Sequence, residues 1–227
     1  MPSLEKNNIT SQEIIIKEKE KQIREVFQDA LSDRLFDENE MYTYIETFAN
    51  MHEFRQTSKV LPYVRELHKG QVRKGKDRVP YVYHPLMVAC HALALGLDDD
   101  DMISAALLHD VCEDCEVKAE ELPVNEPTKR AVALLTKQKG VDVETYYQNI
   151  SENAIATMVK LLDRCNNVSG MAAGFSKEKI IEYIKETEQV VYPLWERAKS
   201  AYPMYSNQLF LLKYHMSSVL EALKHQG

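Results

Sequence analysis

Apolar residues recur every three or four positions along most of this chain, which is the spacing of amphipathic helices. The predicted helices cover residues 10–31, 38–55, 58–69, 84–96, 102–114, 128–137, 152–168, 176–199 and 205–224. A loop is predicted over residues 170–175. The low counts of glycine (7) and proline (8) agree with long helices and few turns. The pattern therefore predicts an all-α fold.

Four ionisable side chains occupy one face at the end of the predicted helix 102–114. With about 100° per residue, His109, Asp110, Glu113 and Asp114 fall within an arc of roughly 150°. One turn earlier the same face is apolar, so the polar patch is local. Buried charge is costly unless it is paired or bound to a metal ion. The patch by itself leaves two interpretations open: a metal site, or a helix C-terminus with solvated acids.

A second polar patch lies on the predicted helix 152–168. Lys160, Asp163, Arg164 and Asn167 fall within an arc of roughly 100°, while the apolar residues face the other way. The competing interpretation is a surface ion pair, which would contribute little to stability.

The segment 70–81 is basic and glycine-punctuated, and it runs into Pro80 and then His84. It is either a solvated loop or a segment that binds phosphates or a base. Guanidinium and ammonium groups are suited to either role. Proline suits the first turn of a helix, so His84 is expected at the cap of the helix that follows. The cations in or beside this segment are Lys69, Arg73, Lys74, Lys76 and Arg78.

Charge and cysteine usage limit the classes of function. The chain has 227 residues and a formal net charge of −7, which disfavours general nucleic-acid binding. The four cysteines lack paired zinc spacing and read as reduced thiols, as in a cytoplasmic protein. No run approaches the roughly 18 apolar residues of a membrane span, and no apolar signal core opens the chain.

Five short segments occur in a characteristic order: QVRK at 71–74, PYVYHPL at 80–86, AALLHDVCED at 105–114, LTK at 135–137 and KLLDRCNN at 160–167. Together they resemble the hydrolase domain of the RelA/SpoT family, which belongs to the HD metal-dependent phosphohydrolases. The resemblance covers about residues 58–200. It implies an HD-domain helical bundle of about eight to ten helices. We expect a helical extension over residues 1–57 and the hydrolase domain over 58–227, packed as one compact unit.

The resemblance assigns a metal site and a catalytic pair. It implies that Glu113 and Asp114 position or deprotonate the attacking water. It implies one Mn²⁺, and the mixed nitrogen and oxygen ligands also suit Fe²⁺, Zn²⁺ or Co²⁺. The implied metal ligands are His84, His109, Asp110 and Asp163.

The resemblance also implies which residues contact the nucleotide. Arg73 and Lys74 would contact it directly, and Asn167 would contact the ribose or a phosphate. Lys160 and Arg164 would support the site, and Tyr192 would lie near the ribose. Cys115 stands where the family usually has threonine, which leaves specificity open.

The implied reaction removes the 3′-pyrophosphate from (p)ppGpp, the alarmone of the stringent response, to give GDP or GTP. The family's synthetase domain has no room in this sequence, so a stand-alone hydrolase similar to the metazoan SpoT homologues is expected. The partner would be a small nucleotide, with no nucleic acid and no membrane, and a homo-oligomer stays open. Two alternatives remain: hydrolysis of another nucleotide (a ppApp-type alarmone, the 2′-phosphate of NADPH or a dNTP), or a non-catalytic sensor or antitoxin role.

Overall fold

The structure, a computed structural model, describes residues 37–73 and 79–224. Within these ranges it is helical, and its one pair of bridged extended residues is Val72 and Pro80. The expected all-α class is confirmed, whereas the predicted helix over residues 10–31 lies outside the described residues. The helices are α1 (Glu38–Met51), α2 (Arg55–Leu67), α3 (Tyr83–Ala94), α4 (Asp100–Leu108), α5 (Val111–Asp114), α6 (Glu126–Leu135), α7 (Val143–Ser151), α8 (Ala154–Gly174), α9 (Lys177–Glu186), α10 (Tyr192–Ala201) and α11 (Ser206–Lys224).

Local capping residues set where many of these helices begin. A side-chain oxygen of the preceding residue accepts a backbone N–H from the first turn, which satisfies a donor that the helix itself cannot. This arrangement opens α1, α4, α6, α7, α8 and α9. The capping residues are Asp37, Asp99, Asn125, Asp142, Asn153 and Ser176.

Three local predictions were wrong. The helix expected to run on to residue 114 ends at Leu108, and a turn separates it from α5. Helix α7 was not predicted. The loop predicted over residues 170–175 is mostly the last turn of α8, because Met171 is buried against Ile184 and Leu220 and that packing overrides the helix-breaking tendency of Gly170.

Two helices form the centre of the fold and carry the site. Helix α4 packs against α2, α3, α6 and α8, and α8 packs against α3, α6, α7 and α11. Ile103 and Leu107 on α4 and Leu161 and Leu162 on α8 are fully buried. Residues at the ends or on the polar face of such central helices are held rigidly, which is what a metal site requires.

Helix α1 belongs to the same core as the rest of the chain, because Met41 and Ile45 are buried in it. The domain boundary expected between residues 57 and 58 lies inside α2. Asp100 on α4 accepts hydrogen bonds from the backbone N–H groups of Gln56 (3.0 Å) and Thr57 (2.8 Å), so it caps α2 across the fold. Among the described helices, none combines the length and apolarity needed to cross a membrane.

Candidate metal centre and active site

Side chains from three parts of the fold meet at one point. His84 lies in the first turn of α3, Asp163 lies on α8, and His109 and Asp110 form the turn between α4 and α5. The Nε2 atom of His84 is 3.1 Å from Nε2 of His109, 3.1 Å from Oδ1 of Asp163 and 3.4 Å from Oδ2 of Asp110. The Nε2 atom of His109 is 3.2 Å from Oδ2 of Asp110 and 3.8 Å from Oδ1 of Asp163. The four expected ligand side chains therefore surround one position.

The turn after α4 explains how two adjacent residues reach the same position. On a continuous helix, neighbours point about 100° apart. Asp110 instead has φ −101° and ψ −8°, and helix α5 begins after it. This break turns the Asp110 carboxylate toward the imidazole of His109.

Hydrogen bonds orient both imidazole rings. His84 Nδ1 lies 2.8 Å from Oδ1 of Asn166, and His109 Nδ1 lies 2.8 Å from the backbone oxygen of Ala106. Carbonyl oxygens only accept hydrogen bonds, so each Nδ1 carries a hydrogen. In the neutral rings, both Nε2 lone pairs then face the shared position, as in histidines that bind a metal through Nε2.

The carboxylates are oriented as well. Asp163 accepts hydrogen bonds from Lys160 Nζ (3.0 Å) and from Asn167 Nδ2 (2.6 Å). Asp110 Oδ2 accepts a hydrogen bond of 2.6 Å from Tyr81 Oη. These donors hold both acids as aligned acceptors.

Burial alone would raise the pKa of Asp163, but Lys160 and the two histidines hold it well below its ordinary value. Burial alone would lower the pKa of His109, but Asp110 and Asp163 raise it to about 10. The cluster therefore favours positive charge at Nε2 of His109. Two imidazole nitrogens and two carboxylate oxygens fit a divalent ion of the Mn²⁺, Fe²⁺, Co²⁺ or Zn²⁺ type. His84, His109 and Asp163 form a buried group that could hold a metal ion, and Asp110, which is 22% exposed, lies beside them.

Glu113 and Asp114 lie on α5, directly after this turn, and both are exposed. Glu113 Oε1 accepts a hydrogen bond of 2.6 Å from the backbone N–H of Lys137. Burial first, and then Asp110 and Asp114, raise the pKa of Tyr81 far above its ordinary value. Asp114 therefore lies near Tyr81, while Glu113 faces the segment after α6.

Three of the expected nucleotide contacts lie beside the cluster. Arg73 donates hydrogen bonds to the side-chain oxygens of Asn166 and Asn167, and Asn167 in turn binds Asp163. Lys160 is ion-paired with Asp163 at 3.0 Å. Lys74, the fourth candidate, lies outside the described residues.

The other two expected nucleotide contacts have different surroundings. Arg164 is 3% exposed and donates to Glu186 Oε1 (2.7 Å) and Tyr147 Oη (3.0 Å), so it ties α8 to α7 and α9. Tyr192 Oη lies 3.0 Å from the hydroxyl of Ser217 on α11. A nucleotide-binding role for Arg164 and Tyr192 stays a prediction.

Sequence reasoning assigned no role to Tyr81 or Asn166, although both lie within the five segments. Each binds a ligand side chain directly, Tyr81 to Asp110 and Asn166 to His84. The available signal in the sequence was spacing, because Tyr81 lies three residues before His84 and Asn166 lies three residues after Asp163. Spacing alone does not reveal which ligand each one orients.

The comparisons with known proteins point to one family. No family model matches the chain. It is 30% identical over 141 residues to guanosine-3′,5′-bis(diphosphate) 3′-pyrophosphohydrolase MESH1 of Xenopus tropicalis, over 57% of this chain and 79% of that protein. It is 34% identical over 145 residues to the guanosine-3′,5′-bis(diphosphate) 3′-pyrophosphohydrolase of Aquifex aeolicus, over 60% of this chain and 20% of that protein. The chain thus spans about a fifth of the length of that bacterial relative.

A solved structure shares the fold. It is of a metazoan orthologue of SpoT that hydrolyses ppGpp, with a TM-score of 0.59 and 23% sequence identity. The similarity covers 74% of this chain and 95% of that one. From the extent of the match to the Xenopus protein, the chain belongs to the family of RelA/SpoT-type guanosine-3′,5′-bis(diphosphate) 3′-pyrophosphohydrolases.

Proposed function

We propose that this protein hydrolyses the 3′-pyrophosphate of ppGpp and pppGpp, giving GDP or GTP and pyrophosphate. The observation that carries the proposal is the meeting of His84, His109, Asp110 and Asp163, in which each Nε2 atom lies 3.1 to 3.8 Å from the other one and from an oxygen of each carboxylate. The family's named members are pyrophosphohydrolases of this nucleotide. A metal-ligand cluster in that family is best explained as a hydrolytic centre.

The four ligand side chains would hold one divalent ion, which we propose is Mn²⁺. A divalent ion supplies Lewis acidity, which makes water more acidic and offsets phosphate charge. The residues around the cluster keep its ligands ready for that ion. Asn166 and the backbone of Ala106 hold the Nε2 lone pairs inward, while Tyr81 and Asn167 hold the two carboxylates.

Glu113 and Asp114 would accept the proton of the attacking water. Both are exposed and follow the Asp110 ligand directly on a single short helix. The hydrogen bond from the Lys137 backbone engages Oε1 of Glu113 and leaves Oε2 for a water molecule. A positioned carboxylate base typically contributes about 10² to 10⁴ in rate.

An anionic substrate requires local positive charge in a protein of net charge −7. Arg73 supplies part of it, because its guanidinium is half-buried beside Asn166 and Asn167. Lys137 and Lys160 add more, and their ammonium groups lie 6.0 and 5.8 Å from the ring centroid of Tyr146. Lys160 is ion-paired with Asp163. Arg73 and Lys137 are therefore the cations that we expect to contact the phosphates.

A product assay tests this function. The purified protein is incubated with ppGpp and Mn²⁺, with EDTA in a parallel reaction, and GDP and pyrophosphate are quantified. We expect release that depends on the metal ion. If Mn²⁺ is shown to be bound and no pyrophosphate appears, ppGpp is not the substrate. Release from an adenosine alarmone, NADPH or a dNTP would then identify another nucleotide, and release from none would leave a binding role.

A cytoplasmic location is part of the proposal. The four cysteines, Cys90, Cys112, Cys115 and Cys165, are all unpaired thiols, as in reducing compartments.

A further inference from the structure

Arg73 has a fixed place next to the metal centre. Its backbone N–H donates to the oxygen of Val79 at 2.8 Å, and the N–H of Tyr81 donates to the oxygen of Gln71 at 2.9 Å. These two bonds clamp residues 71–73 against residues 79–81, immediately before α3. The backbone of Arg73 is therefore held in register with the helix that carries His84.

The guanidinium of Arg73 contacts two asparagines, and each asparagine contacts a metal ligand. Nη2 donates to Oδ1 of Asn167 at 2.5 Å, and Nη1 lies 3.5 Å from Oδ1 of Asn166. Asn166 Oδ1 also accepts the Nδ1 hydrogen of His84 at 2.8 Å. Asn167 Nδ2 donates to Oδ1 of Asp163 at 2.6 Å. Arg73 is thus connected through a single asparagine side chain to each of two of the four ligands.

We propose that Arg73 is a positioning residue for the metal centre as well as a nucleotide contact, and that it acts through Asn166 and Asn167. The nucleotide contact rests on the proposed function. The positioning role rests on the hydrogen bonds above. It follows that metal binding and nucleotide binding reinforce each other through this one side chain.

The physical reason is the directionality of the amide group. An asparagine amide has an oxygen that accepts and a nitrogen that donates, and a rotation of 180° exchanges them. A guanidinium only donates, so it fixes the two oxygens toward Arg73. The Asn167 nitrogen must then point to Asp163, and the Asn166 oxygen stays available to His84. Without Arg73, each amide oxygen loses a donor that favours this orientation.

The N–H donors of Arg73 that the asparagines do not use explain why metal binding and nucleotide binding should strengthen each other. A guanidinium offers five N–H groups, and the two asparagines use two of them. A phosphate or base that binds the others restrains the guanidinium without displacing the amides. By linkage, a nucleotide that restrains Arg73 tightens metal binding, and the metal ion tightens nucleotide binding by the same factor.

The test is Mn²⁺ affinity in the absence of any nucleotide, measured by isothermal titration calorimetry and by the EPR signal of free Mn²⁺. Loss of an outer-shell partner typically costs about 10- to 100-fold in metal affinity. We expect Arg73→Met to weaken Mn²⁺ binding about tenfold. Asn167→Leu should weaken Mn²⁺ binding at least as much. Arg73→Lys, which keeps the charge but cannot hold both amides, should fall between Arg73→Met and the wild type.

Arg65→Met is the matched control. Arg65 also holds an asparagine, donating to Oδ1 of Asn39 at 2.8 Å, but it lies on the outer side of α2 beside Glu38. The Mn²⁺ affinity of the Arg65→Met variant should equal that of the wild type. Arg73→Met that is folded by circular dichroism and binds Mn²⁺ like the wild type would overturn the proposal. If that variant does not fold, Arg73→Lys decides by the same comparison.

Kinetics separate positioning from simple substrate contact. In Arg73→Met, raising Mn²⁺ should restore kcat while KM stays raised. A residue that touches only the nucleotide would raise KM without changing the Mn²⁺ requirement, and that result would also overturn the proposal. Because the metal titration contains no nucleotide, it stands whether or not ppGpp proves to be the substrate.

Discussion

The Nε2 atoms of His84 and His109 face each other at 3.1 Å, while the Nδ1 atom of each ring lies 2.8 Å from its own oxygen acceptor. Two neutral imidazoles held in this way oppose lone pair to lone pair. A positive charge at this position relieves the contact, supplied either by a metal ion or by the proton that the raised pKa of His109 favours. The pair therefore makes metal binding the central testable property of the fold.

Asp110→Ala is expected to abolish Mn²⁺ binding and hydrolysis together, because it removes a ligand oxygen within 3.4 Å of both Nε2 atoms. Calorimetric titration and the product assay measure the two properties. Asp98→Ala, at an exposed position before α4, should change neither. An active, metal-replete Asp110→Ala variant would contradict the ligand assignment.

Glu113→Gln is expected to keep Mn²⁺ affinity and lose at least about a hundredfold in kcat, since an amide cannot accept the proton of water. The backbone contact with Lys137 is retained because the amide oxygen can still accept it. Glu120→Gln, also exposed, serves as the control. Unchanged turnover in Glu113→Gln would remove this residue from the mechanism.

Tyr81→Phe removes the hydrogen bond of 2.6 Å to Asp110 and leaves the ring stacked on His68. We expect Mn²⁺ affinity to fall about 10- to 100-fold, as for other outer-shell partners. Tyr83→Phe, two residues along and partly exposed, is the matched control. Equal affinities for the two variants would show that Asp110 needs no orienting donor.

Glu186→Ala is expected to lower the free energy of unfolding by about 1.5–3 kcal/mol, because it removes the carboxylate that accepts a charge-assisted hydrogen bond from the buried Arg164. Urea denaturation measures the change. Glu188→Ala, at a half-exposed ion pair with Lys224, should cost at most about 1 kcal/mol. Unchanged stability together with a raised KM would instead support a nucleotide-binding role for Arg164.

His91 predicts a loss of stability in mild acid. Burial, with a smaller effect of His215, lowers the pKa of His91 to about 4 from an ordinary 6.5. Between these values the unfolded chain binds the proton and the folded chain does not, so stability falls as the pH decreases from about 6.5 to 4. The loss in the free energy of unfolding is at most about 1.4 kcal/mol per unit of pKa shift, and the partial exposure of His91 reduces it.

Thermal melts of the wild type and His91→Phe at pH 7 and pH 5 measure this contribution. The variant should lose less stability than the wild type over that interval. His52→Phe, at an exposed histidine, should behave like the wild type. A parallel decline in the wild type and His91→Phe would show that other groups cause the acid sensitivity.

The sequence by itself determined the all-α class and predicted the four side chains that meet in the cluster. Helix periodicity is local, so the spacing of apolar residues along the chain predicts it. The ordered motifs around His84, His109–Asp110 and Asp163 predicted that these side chains meet before any distance was known. These features depend on residue type and short-range spacing, which a sequence displays directly.

Only the tertiary structure decided how those residues are arranged. The break after Leu108 brings His109 and Asp110 together with side chains from two other helices. The contacts of Tyr81 with Asp110 and of Asn166 with His84 join residues far apart in the chain. Arg164 follows Asp163 directly, yet the next position on a helix points about 100° away, and there it meets Glu186 instead of the cluster. Long-range packing fixes these partners, and periodicity carries no information about them.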